Sequence, residues 1–212
     1  MTPGQITRVK SVLAAFTEGK LINQDRDEYV YLIAAMEQEG YGTDITTLET
    51  LLSLRDIYQE HNLEFDAMVF TDEHVEVHED DLKHLTQALL RLVTYTVAID
   101  DIKIDWPPLD ETKGKICIKL NNVEHVFACE FFGKYTPIGL IEGIASLMPN
   151  EHTEHLYYEN LDSSIVVVRI TPESANVFNS RMRVIDDPLR LYPVKLEKKD
   201  KKENGGISRR VD

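Results

Sequence analysis

Apolar and polar positions alternate through the middle of the chain. Ile116, Ile118 and Leu120 are separated by Cys117 and Lys119, the period of a strand with one buried face. Asn121-Asn122 follows, a pair that tolerates positive φ and suits a two-residue turn. The return strand carries Val123, His125, Phe127, Cys129 and Phe131 on one face. With Asn121 and Asn122 as the turn, Leu120 faces Val123 and Ile116 faces Phe127, so the two apolar sets share a side. The same register puts Cys117 and Cys129 on opposite faces, which predicts two free thiols.

A second unit of the same outline follows. Thr136-Pro137 predicts a helix start with Pro at its first position, and Ile138, Ile141, Ile144, Ala145 and Met148 form the buried stripe. Residues 155–159 and 164–170 read as a hairpin. The unbroken β-branched run Ile165-Val166-Val167-Val168 marks a central strand covered on both faces. Thr171-Pro172 opens a further helix to about residue 180, with Ala175 and Phe178 inward.

Helical spacing dominates the first part of the chain. Thr2-Pro3 starts a helix carrying Ile6, Val9, Val12, Leu13 and Phe16, with Gly19 as its stop. Further helices are predicted over 25–39, after Asp44, and over 80–97, the last with Leu82, Leu85, Leu89, Leu90, Leu92 and Val93 as its apolar face. Met68-Val69-Phe70 reads as a short strand or a buried turn, and residues 73–78 and 99–105 read as short strands. The expected fold class is α+β: an N-terminal helical layer packed with a mainly antiparallel sheet of ββαββα order. The expected regions are 1–98, mainly helical; 99–194, the α+β sheet region; and 195–212, a disordered basic tail.

Charge changes the picture. The 212 residues carry a formal net charge of −14. Residues 195–212 hold 7 Lys and Arg against 4 Asp and Glu, so the remainder is more acidic still, 16 against 33. Such a body repels phosphate backbones, which excludes nucleic acid, and attracts a basic partner. There is no apolar run of about 18 residues, so no membrane partner is expected. The apolar piece at 12–16 is too short for a signal peptide, and a cytoplasmic protein is expected.

Candidate chemistry is sparse. No Gly-rich phosphate loop follows a strand, no Gly-x-Ser-x-Gly elbow occurs, and no Cys pair has zinc-finger spacing. Cys129 reads as a core residue, and His125 as a core or rim histidine. His152 and His155 flank Thr153-Glu154, and two His three apart can bind metal, but water is their more usual partner. His74, Glu76 and His78 share one face if the segment is extended, and imidazole and carboxylate are ordinary zinc ligands. Their spacing matches no motif of required geometry, so a solvated face is the plainer reading; a metal-dependent hydrolytic enzyme is the alternative. No cofactor is implied.

Exposed aromatics and carboxylates point to binding. Asp72, Glu73, Glu76 and Glu79 form one acidic run. Trp106 stands among Asp101, Asp105 and Asp110, an aromatic in an acidic rim suited to a basic partner, although a plug between helices and sheet is equally consistent with the sequence. Tyr157 and Tyr158 are strand neighbours, so one of them faces away from the core.

The order of elements from 113 to 181 resembles the small acidic immunity proteins of bacterial toxin–immunity systems. The residues that carry the resemblance are Lys113-Gly114-Lys115-Ile116-Cys117-Ile118, the Asn turn, 127–132, a helix, Leu156-Tyr157-Tyr158, Val166-Val167-Val168 and Thr171-Pro172-Glu173. The resemblance implies a cytoplasmic, non-enzymatic inhibitor that occludes a cognate toxin domain. Basicity of that domain is expected where it is a nuclease. The implied contact residues are the acidic run at 72–81 with the 100–111 region. A subunit of a larger bacterial or phage assembly, tethered by the basic tail, is a third reading. The oligomeric state is not legible.

Overall fold

The structure, a computed structural model, describes residues 3–22, 67–72, 78–132, 135–148, 153–161 and 164–196. It is α+β, with helices and antiparallel sheets in two compact units. One draws its described residues from Met1–His74 and Pro149–Pro193, the other from Val75–Met148 and Val194–Asp212. These units interleave along the chain, so their boundaries do not coincide with the consecutive division at 98 and 194.

The first unit holds α1 (Pro3–Glu18), β1 (Met68–Asp72), β5 (His155–Leu161), β6 (Ser164–Ile170), α4 (Pro172–Val184) and β7 (Tyr192–Pro193). Its sheet runs β1-β6-β5-β7. β6 is central, and Ile165, Val166, Val167 and Val168 are all buried, so the β-branched run is covered on both faces. Val9, Val12, Leu13 and Phe16 of α1 and Ala175, Phe178 and Met182 of α4 share a core with Phe70, Tyr157 and Val168 of the sheet. The Phe16 and Phe178 rings meet edge to face at 5.1 Å. The Thr171 hydroxyl accepts from the Ser174 amide at 3.1 Å, capping α4.

α4 continues past residue 180 because Met182 extends the inward stripe of Ala175 and Phe178. It ends where Asp186 takes φ 55, with the Asp187 amide on the Met182 carbonyl at 2.9 Å and the Asp186 amide on the Arg183 carbonyl at 3.2 Å. α1 ends in the same way at Lys20, φ 61, rather than with Gly19 in the left-handed position.

The second unit holds α2 (Glu79–Leu92), a 3₁₀ turn (Ile99–Asp101), β2 (Ile102–Asp105), β3 (Lys113–Leu120), β4 (Val123–Glu130) and α3 (Leu140–Ala145). Its sheet runs β2-β3-β4. Asn121 and Asn122 take φ 49 and 62, the left-handed pair of a tight hairpin turn. Leu120 pairs with Val123 and Ile116 with Phe127, as the alternation predicts. Cys117 and Cys129 are free.

Several expectations need correction. The two hairpins lie in separate sheets, so a single antiparallel sheet of ββαββα order is not formed: β1 takes the outer edge of β6, and β2 takes the outer edge of β3. α1 and α2 belong to different units. α2 stops at Leu92 rather than 97, because Thr94 turns left-handed at φ 70 and the Tyr95 amide reaches back to the Leu90 carbonyl at 2.9 Å. Residues 99–105 begin as a 3₁₀ turn and become a strand only at Ile102. Thr136-Pro137 does not start a helix. Ile138 exchanges two 3.0 Å backbone bonds with Glu130 and is exposed, and the chain turns into α3 at Gly139, φ 93. A Cβ at Gly139 would stand 2.8 Å from the Ala128 carbonyl oxygen, so the turn needs glycine. The helices predicted over 25–39 and after Asp44, most of the strand predicted over 73–78, and the tail beyond 196 lie outside the described residues.

Candidate interaction surface

The loop from β2 to β3 is built from below. Trp106 is half-buried and packs on Phe131, ring centroids 5.1 Å apart. Gly114 lies under the same loop: a Cβ there would stand 2.5 Å from the Asp105 carbonyl oxygen, 2.7 Å from the Phe131 ring and 3.0 Å from Pro107 Cδ. Two adjacent prolines fix φ where the loop climbs away from the sheet. A turn then closes with the Glu111 amide on the Pro108 carbonyl at 2.9 Å, and the Phe131 amide holds the Thr112 carbonyl at 2.7 Å. Asp105, Leu109, Asp110 and Glu111 are exposed around this frame. The loop is therefore fixed by packing, while its carboxylates stand in water.

The acidic residues named from the sequence lie on several elements. Asp100 is exposed and Asp101 half-buried in the 3₁₀ turn ahead of β2; Asp105 lies across from Lys115 on β3. Glu79 is exposed at the start of α2, and Lys83 one turn on holds it at 2.6 Å; that bond pushes the Lys83 ammonium pKa up. Asp72 ends β1, paired through its backbone with Ser164, in the other unit. Glu73, His74 and Glu76 lie outside the described residues. His78 is the exposed N-cap of α2, its carbonyl accepting from the Asp81 and Leu82 amides at 3.1 and 3.2 Å.

Of the tyrosine pair, Tyr157 is the inward one, a core residue whose phenol pKa is pushed up by burial. Tyr158 is half-buried, and its cross-strand neighbour Tyr192 is exposed, so any contact role passes from Tyr157 to Tyr158 and Tyr192. The tilted contact of Trp106 with Phe131 lies at the base of the loop.

Among the described residues, no group of three or more His, Cys, Asp or Glu is placed to hold a metal ion. Burial, with Glu142 nearby, pushes the Cys129 thiol up to about 12, and burial with Glu124 and Asp105 raises Cys117, the reverse of what an activated thiol needs. His125 is half-buried opposite Ile118, and His155 is exposed. No helix among the described residues is long and apolar enough to cross a membrane.

Leu109 was not singled out by its sequence pattern, because it belongs to no periodic stretch; its position directly after two prolines and before two acids was the available signal. Neither family models, curated proteins nor solved structures yield a match to this chain.

Proposed function

We propose that the protein works by binding, as a cytoplasmic immunity-type inhibitor that docks on a cognate, basic toxin domain and occludes its working surface. The observation that carries this reading is the β2–β3 loop, which presents exposed Asp105, Asp110 and Glu111 on a frame fixed by Trp106, Phe131 and Gly114. Carboxylates held in place can stand where a nuclease holds phosphates, and the net charge of −14 steers a cationic partner towards the surface before contact. Fixing the loop in advance lowers the ordering cost of association.

The test is association with the product of the neighbouring reading frame, followed by stopped-flow at low and moderate salt. Reversing Asp105, Asp110 and Glu111 to Lys should slow association by on the order of 10-fold at low salt and by less as salt rises. Unchanged association rates would remove the loop from the contact surface. Absence of any complex with a basic neighbour product would remove the reading itself.

A further inference from the structure

Leu109 is fully exposed, at 105% of its reference area, which no other large hydrophobic side chain among the described residues approaches. The fold does not ask for leucine there. Residue 109 is the second position of the turn closed by Pro108 and Glu111, a position that accepts most residues and favours proline. Its backbone is nevertheless held firmly, by Pro107 and Pro108 on one side and the Thr112–Phe131 hydrogen bond on the other. An apolar side chain on a pinned turn, followed by exposed Asp110 and Glu111 and with exposed Asp105 at the end of β2, has the composition of an interface anchor inside a polar rim.

We infer that Leu109 is the anchor of a protein interface, and that the surface receiving it is an apolar pocket rimmed by Lys or Arg. The inference rests on the cationic-partner reading and deepens it: the acidic collar selects the sign of the rim, and the leucine selects a pocket at its centre. A lipid surface is the weaker occupant, because three carboxylates beside the tip oppose anionic headgroups.

The probe is a phage-displayed library of random peptides, panned against the full-length protein. Enriched peptides are expected to carry Lys or Arg around an aromatic or branched apolar cluster. Leu109→Ser should weaken them on the order of 30-fold, while Val184→Ser, at another exposed apolar side chain (78% exposed), leaves them unchanged. Leu109→Ser should leave the unfolding midpoint where it is, which separates lost contact from lost fold. Cationic peptides that ignore Leu109→Ser but are lost on Asp110→Lys would overturn the anchor and leave the cationic reading standing. Neutral or acidic peptides, or no enrichment, would sink both. Leu109-dependent co-sedimentation with vesicles of mixed phosphatidylcholine and phosphatidylglycerol would replace the protein pocket with a membrane.

Discussion

Replacing Arg8 should destabilise the first unit more than replacing its carboxylate partner does. Asp187 follows the end of α4 and is 2% exposed. Its Oδ2 accepts from Arg8 Nη2 at 2.6 Å, and its Oδ1 accepts from the Leu189 amide at 3.0 Å. Arg8, on α1, also donates to the Ile185 carbonyl, so one guanidinium ties the first helix to the segment leaving the last one. The two partners differ in access to water: the Asp187 side chain is 1% exposed and that of Arg8 31%. Arg8→Met keeps the packed stem but removes the ion pair that a buried carboxylate makes with Arg8, which costs about 3 kcal/mol, the lower end of the range because Arg8 borders solvent. Asp187→Asn keeps an oxygen for the Leu189 amide and leaves an arginine that hydrates itself, costing about 1–2 kcal/mol. The double variant should then be more stable than Arg8→Met alone, by about 1 kcal/mol, because the buried charge that lost its Arg8 ion pair is gone. The readout is urea unfolding followed by hydrogen exchange at β5 and β6. Trp106, the single tryptophan, reports the other unit. At a slope of about 2 kcal/mol per molar urea, the gain is a shift of about 0.5 M. A double variant less stable than Arg8→Met, or an Asp187→Asn more damaging than Arg8→Met, would refute the reasoning.

Thr94 is a β-branched residue in the left-handed conformation, so Thr94→Gly should raise stability by about 1 kcal/mol, checked by the urea midpoint of Trp106 fluorescence. Gly114→Ala should destabilise the second unit by about 1–3 kcal/mol and shift Trp106 emission to the red, since the added methyl meets the Asp105 backbone and the Phe131 ring. Burial raises the Glu159 carboxyl above the usual carboxylate range, so the folded state holds that proton to higher pH than the unfolded chain does. Its contribution is present in acid and lost as pH rises through the raised value. Glu159→Gln should therefore match wild type near about pH 4 or below and be the more stable of the two at neutral pH, by urea midpoints at each pH. With an aromatic disulfide reagent at mildly alkaline pH, Cys117, half-buried with a raised pKa, should react slowly and buried Cys129 only as the chain unfolds; two rapid equivalents in the native state would contradict this.

The hairpin at 113–130 was legible because three local signals agree: alternation, a turn pair that accepts positive φ, and apolar faces that match in one register. The centrality of β6 was legible for a similar reason, since four β-branched residues in a row make sense only with both faces covered. Sheet partnership was not. Nothing in Met68-Val69-Phe70 says that it pairs with residues 166–168, because a strand's own pattern fixes which face is buried and not which edge it meets. Helix ends failed for a specific reason. α1, α2 and α4 all close through a left-handed residue that is not glycine, Lys20, Thr94 and Asp186, and such residues carry no local signal of the kind glycine gives.

At the candidate surface, the exposed carboxylates are legible in the sequence and the exposed leucine is not, and both have one cause. Carboxylates are read from composition without knowing the fold, because charged side chains are rarely buried unless paired. The fate of an apolar side chain depends on tertiary packing that composition does not carry. Trp106 and Leu109 are three residues apart in the same loop, yet one is half-buried on Phe131 and the other stands wholly in water. Trp106 with Gly114 and Pro107 holds the loop, whereas Leu109 with Asp110 and Glu111 is what the loop presents. This division makes stability and recognition separable by substitution. Changes beneath the loop, such as Gly114→Ala, should lower stability and binding together. Changes at its tip should alter binding alone, since no hydrogen bond or packing contact of the loop frame passes through the Leu109 side chain.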